Sequence, residues 1–296
     1  ETPLISSLLM NALPALVAGV KSICLVSPPN KDGSLNPYIL ATAKLLGIEN
    51  IYAVGSAWAI AALAFGTETI PAVDVIAGPG NIFVTTAKRL LVGRVGIDMI
   101  AGPSEISILA DESANPKWLA ADLLSQAEHD PLASAILISP DDRLIEEVSQ
   151  CLQEQLANLP RNEIAQESLA KWGALIHVPD LESGLELVNK IAPEHFEICV
   201  DNPWAYVGKI NNAGAVFMGH YAAEPIGDYF AGPNHVLPTI GTARFSSALS
   251  VETFCKKTSL IANSNEYVGQ NGPKIARLAR LEGLEAHARS VEIRNQ

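Results

Sequence analysis

The chain has 296 residues, 48% of them hydrophobic, enough for a sizeable core spread over one large or two ordinary domains. It carries 20 basic against 32 acidic residues, a net charge of −12, and no basic patch, which argues against a nucleic-acid partner. Its four cysteines, Cys24, Cys151, Cys199 and Cys255, form no C-x-x-C pair and read as free, buried thiols of a reducing, cytoplasmic compartment.

The first stretch, PLISSLLMNALPALVAGV, is apolar enough to pass for a signal peptide. No basic region precedes it, and Asn11 and Pro14 interrupt it. Leu8, Leu9, Leu13, Leu16 and Val17 fall near helical spacing, so a buried helix is predicted. The chain opens on Glu1 directly before that helix, which reads as a fragment of a longer protein. No other segment has the length and apolarity of a membrane span, and no membrane partner is expected. Strands are then predicted at 22–29, 50–55 and 73–77, and helices at 37–46, 57–66 and 82–93, with Gly47 stopping the first of these. Residues 96–111 read as a crossing between two units. The rhythm resumes with helix 116–128, strand 134–139, helix 141–158, strand 174–178, helix 180–191, strand 196–200, helix 203–212 and strand 214–219. From about Ser250 the pattern is helical only, at 250–257, 262–280 and 282–290.

The alternation predicts an α/β fold: two Rossmann-like parallel-sheet units, residues 1–103 and 104–249, followed by a helical tail, 250–296. The tail is too small for a core of its own and is expected to pack on a partner subunit. A dinucleotide-binding unit would show G-x-G-x-x-G between strand and helix, and none occurs. The nearest feature is Gly78-Pro79-Gly80-Asn81, before a helix start that favours an anion. It reads equally as a tight turn that needs glycine. Gly102-Pro103-Ser104-Glu105 is a second such turn, with Ser104 either a local cap or a hydroxyl facing a ligand.

Three short patterns carry chemistry. In DLLSQAEHD, Gln126 and His129 are three apart and share a helix face, either as a polar edge or as half of a metal site. In APEH, Pro193 stops a helix and leaves Glu194 and His195 on a loop, a carboxylate beside an imidazole suited to acid–base work. The glycine-rich run HYAAEPIGDYFAGPNHVLPT offers Asp228 as a metal ligand, with His235 as a rival. Glu282 and His287 lie five apart near the end, and His177 and His220 read as ordinary strand-end residues. An amide oxygen and a carboxylate with two imidazoles would suit zinc or another borderline divalent ion.

Together, AGPSEISILAD, DLLSQAEHD, APEH, GDYFAGPNHVLPT and EGLEAH resemble the histidinol dehydrogenase family, in the family's order and over essentially the whole chain. The resemblance implies oxidation of L-histidinol to L-histidine with two NAD, and a Zn2+ ion shared across a homodimer. By position it implies Gln126, His129, Asp228 and His287 as zinc ligands and Glu194 and His195 as the catalytic pair. It implies Ser104, Gln126, His129, His195, Asp228, Glu282 and His287 as substrate contacts, and Asn81 as a cofactor contact. Two departures fall on the cofactor side. The family's preceding segment, with a Tyr-x-Pro-Gly-Gly run, is not part of this sequence. Trp58 stands where the family has a cofactor-contacting Gln, and an indole cannot accept a hydrogen bond. Two alternatives follow: a paralogue oxidising another small amino alcohol, or a zinc- and ligand-binding remnant with an impaired cofactor site.

Overall fold

The computed structural model describes residues 4–295, so the opening at Glu1 lies outside the described residues. The chain divides into two compact units, Glu1–Cys255 and Lys256–Gln296. The larger begins with α1 (Ile5–Val17), which buries Leu8, Ala12 and Ala15. Its buried face is therefore not the leucine stripe expected from the sequence: Leu13, Leu16 and Val17 are exposed, and the small alanines let the helix sit close to its neighbours.

There follow β1 (Cys24–Ser27), α2 (Pro37–Leu45), β2 (Asn50–Ala53), α3 (Ser56–Phe65), β3 (Val75–Ile76), α4 (Ile82–Leu90) and β4 (Gly96–Ile97). Helix α2 starts where Asn36 accepts the Tyr38 N–H and Pro37 occupies the first turn. The strands are short and pair in parallel, β1 with β2 and β3 with β4, as two separate ladders. Ile60, Leu63, Ala64, Ile70, Ile76 and Val95 form the core beneath α3 and α4.

The next elements are β5 (Glu105–Ala110), α5 (Pro116–Ala127), β6 (Ser134–Ser139), α6 (Asp142–Leu156), α7 (Asn162–Trp172), β7 (Gly173–His177), α8 (Leu181–Ile191), β8 (His195–Cys199), β9 (Ala215–Met218) and α9 (Glu224–Tyr229). All five strands are parallel, in the order β7-β6-β5-β8-β9. Part of the segment read as a crossing is thus the central strand, and Ile106–Ala110 are buried on both faces, as an interior parallel strand requires. Helix α7 was not foreseen, and the helix expected at 203–212 is a 3-10 helix over Pro203–Lys209.

Side-chain alternation sorts β8 between two layers. His195, Glu197 and Cys199 stand beside Ile106, Ile108 and Ala110 of β5, on the face covered by α5. Phe196 and Ile198 point to the opposite face, toward α8. A crossover helix runs back against its strands, so the C-terminal end of α5 returns to the edge where β5 and β8 begin. That edge carries the site.

In the smaller unit, α10 (Asn265–Leu281) packs on α11 (Glu285–Glu292), and Arg280 joins Glu285 at 2.9 Å and Glu292 at 2.7 Å. The helix expected at 250–257 is a 3-10 turn, Val251–Phe254. All four cysteines are free, and only Cys199 is buried. All four tryptophans, Trp58, Trp118, Trp172 and Trp204, are exposed. Among the described residues no helix is long and apolar enough to cross a membrane.

Candidate active site

Ala192 adopts a left-handed conformation (φ 53°) that ends α8, and Pro193 prevents its continuation. The next two residues lie where the loop expected from the sequence meets the strand edge. Glu194 is buried, and His195 is the buried first residue of β8. The backbone of Glu105, which opens the neighbouring strand, orients both: its N–H donates to Glu194 Oε2 at 3.1 Å, and its carbonyl lies 2.8 Å from His195 Nδ1. A carbonyl only accepts, so Nδ1 carries the ring hydrogen and Nε2 keeps its lone pair. Glu194 Oε2 is 3.7 Å from the same Nδ1.

His195 Nε2 meets His235 Nε2 at 2.8 Å, with the rings stacked 4.7 Å apart. Since His195 Nε2 accepts, the His235 nitrogen donates. That nitrogen is also 3.3 Å from Glu224 Oε1 and 4.0 Å from Asp228 Oδ1. Glu224 and Asp228 are four apart on α9, on one face. Behind them, Glu197 Oε1 accepts the Glu224 N–H at 2.9 Å. Asp122 of α5, one turn before Gln126, lies close enough to Glu197 for the two carboxyls to influence each other.

Burial governs the protonation of this cluster. It pushes His195 down to about 4, against the pull of the Glu224 carboxylate, so the imidazole is neutral at pH 7. It pushes Glu194 well above the usual carboxylate range, and the neighbouring carboxyls of Glu105, Glu224 and Asp228 add to the effect. Burial also raises Asp228, and carries Asp122 to about 6 and Glu197 well up. Glu224 is the exception. Burial acts to raise it, but the hydrogen bond from His235 and the nearby imidazoles hold it below its ordinary value.

The residues fit a divalent cation. Gln126 is 1% exposed, and no hydrogen-bond donor reaches its Oε1, which leaves a buried acceptor in want of a positive partner. His129 lies exposed at the end of α5, close enough for its charge to favour ionised Asp228 and Glu224. His195, Glu224 and His235 place ligand atoms within 4.8 Å of one another, a second arrangement able to hold a metal. His235 stood as a rival ligand in the sequence and is central here. Glu224 was missed, although its spacing from Asp228 was the available signal.

The remaining candidates are dispersed. Ser104 is half-buried just before Glu105, its carbonyl accepting the Ser134 N–H at 3.0 Å. Asn81 caps α4 through its side-chain oxygen, which accepts from Phe83 and Val84 and leaves its NH2 as a donor. Trp58 stands 79% exposed on the first turn of α3, which packs against α4. Glu282 and His287 are exposed residues of the smaller unit and line a cleft with Leu278 and Leu284.

A parallel α/β chain with a buried carboxyl–imidazole cluster on its sheet edge is an enzyme equipped for proton transfer. The sequence model of the histidinol dehydrogenase family matches residues 1–295. The histidinol dehydrogenase of Oleidesulfovibrio alaskensis is 65% identical over 99% of this chain and 68% of its own length, and that of Nitratidesulfovibrio vulgaris is 63% identical over 100% and 68%. The crystal structure of histidinol dehydrogenase from Elizabethkingia anophelis superposes with a TM-score of 0.95 at 42% identity, covering 99% of this chain and 68% of that one. The chain belongs to the histidinol dehydrogenase family and is an oxidoreductase. It spans about two thirds of the length of these relatives.

Proposed function

We propose that the chain oxidises L-histidinol to L-histidine by way of histidinaldehyde, reducing two NAD, in the closing steps of histidine biosynthesis. The observation that carries this reading is His195. It is a buried, neutral imidazole with Nδ1–H fixed on a backbone carbonyl and its Nε2 lone pair on the His235 N–H, a contact that a substrate hydroxyl would replace. Such a nitrogen can accept an alcohol proton as hydride departs. Glu194 supports the second half of the reaction. One oxygen is held by the Glu105 N–H, and in its ionised form a carboxylate of such raised basicity can take a proton from the water that hydrates the aldehyde.

The proposed zinc ligands are Gln126, His129 and Asp228, with His287 supplied by a second copy of the chain. Zinc would supply Lewis acidity and a fixed anchor for the substrate's nitrogens, and NAD would accept hydride. Ser104, next to Glu105, and Glu282 are the proposed further substrate contacts. Their chemistry suits a ligand with a hydroxyl, an amine and a cationic imidazole. Asn81 and Trp58 are proposed to face the cofactor.

The test is NADH formation with zinc, NAD and a panel of amino alcohols. L-histidinol should be the preferred substrate. A preference for another amino alcohol would make the chain a paralogue. Zinc and histidinol binding without NADH formation would support the remnant reading, which the exposed indole of Trp58 favours. The shared site is tested by co-expressing Asp228→Ala and His287→Ala chains. About half the dimers are then mixed, and each holds one complete ligand set, so about a quarter of the sites should hold zinc. A site built within one chain predicts no recovery over the separate variants.

A further inference from the structure

Helix α4 packs Val84 and Ala87 against the core, half-buried, yet it fully buries neither. Its apolar Ile82, Phe83 and Leu90 are exposed, and its one buried residue is a lysine. Lys88 Nζ lies 2.5 Å from Asp98 Oδ1, with both side chains almost fully buried. The same Nζ donates to the Gly78 carbonyl at 2.7 Å, and Asp98 Oδ2 accepts the Gly78 N–H at 2.8 Å. The pair therefore holds both polar backbone atoms of a single glycine. Gly78 has φ +129°, a conformation that side-chain-bearing residues rarely adopt. Two residues on, a Cβ at Gly80 would lie 2.4 Å from the Val84 side chain, so the turn needs glycine at Gly78 for its conformation and at Gly80 for space.

A buried ion pair gives no more stability than well-packed apolar side chains of the same volume. Apolar side chains, however, cannot bind the N–H and C=O of Gly78. The function left for the pair is to specify one conformation of the turn. The turn ends at Asn81, whose free NH2 begins α4 beside exposed Ile82 and Phe83, a polar donor edged by apolar surface.

We propose that Lys88 and Asp98 are positioning residues for dinucleotide binding, an internal ion pair that holds Gly78-Pro79-Gly80-Asn81 in the shape that receives the cofactor. The inference rests on the NAD-dependent function proposed above and assigns the turn's geometry to two residues that do not touch the ligand themselves.

The experiment compares the zinc-loaded protein with Lys88→Met, the double variant Lys88→Met/Asp98→Asn, and Asn81→Ala. NADH binding is followed by its fluorescence, alongside steady-state kinetics. Unmaking the brace should raise the NADH dissociation constant and the NAD KM about 10-fold or more, the scale of one or two buried polar groups losing their partners. Zinc content, the histidinol KM and kcat at saturating NAD should change little. A folded Lys88→Met or double variant that binds NADH as the parent does would overturn the proposal. So would a parallel loss of zinc, kcat and both KM values, or failure of both Lys88 variants to fold, since each marks a purely structural pair. If Asn81→Ala also leaves NADH binding unchanged, the turn is not the cofactor site, and it is the underlying reading that fails.

Discussion

In the first half of the larger unit the deeply buried ionic contact is Lys88 with Asp98, one cation to one anion. In the second half, Glu194, Glu197, Glu224 and Asp228 gather around His195 and His235, and among the described residues no Lys or Arg pairs with them. The first arrangement is closed: every strong charge has its partner. The second has excess acid and an unpartnered amide oxygen at Gln126, and burial forces several carboxyls to keep their protons. A region left acidic in this way gains from a bound cation, and that is the difference between a structural charge and a chemical one.

The largest expected effect is on chemistry. His195→Gln should lower kcat by about 10²–10⁴-fold, the usual worth of a positioned acid–base group, with zinc content retained. Retention of kcat would remove His195 from its proposed role. Next comes the metal. Zinc at about 100 times its dissociation constant should stabilise the folded state by about 2.7 kcal/mol in calorimetry. Asp228→Ala should abolish most of that gain, whereas Lys88→Met should keep it, because none of the proposed ligands lies in the first half. Trp58→Gln should tighten NAD binding by about 1–3 kcal/mol in calorimetry, if a carboxamide restores a hydrogen bond the indole cannot make. Unchanged or weaker binding would show that Trp58 is no obstruction.

The smallest effect is a pH dependence. Asp122 is raised in the folded protein to about 6 from 3.8, so its contribution to stability is present below 3.8 and lost as pH rises through about 6. Asp122→Asn removes that loss. The metal-free variant should be more stable than the parent at pH 8 and no more stable at pH 3.5, measured by thermal unfolding. An equal gain at both pH values would mean that the carboxyl's protonation is not the cause.

The β-α alternation was legible because it depends on apolar runs and glycine stops, which are local. The central strand was obscured because EISILA follows directly on Gly102-Pro103-Ser104, and a turn signal beside an apolar run reads as a connection. Helix α7 was missed because NEIAQESLAKW buries little more than Ala165 and Ser168, and its anchor is the Ser168 hydroxyl on the distant Ala133 carbonyl at 2.9 Å. At the site, Gln126 with His129 and Glu194 with His195 could be picked out as short-range pairs. The backbone of Glu105 as their organiser could not, since a main-chain carbonyl leaves no residue signature. Lys88 carries no signal of its own in the sequence, because its pairing with Asp98 depends on tertiary approach.

The exposure of all four tryptophans has a consequence for the laboratory. Indoles already in contact with water emit near the wavelength of the free chromophore, so unfolding should move the intrinsic emission very little. The fluorescence of the native protein would resemble that of a denatured one, and its folding is better followed by circular dichroism.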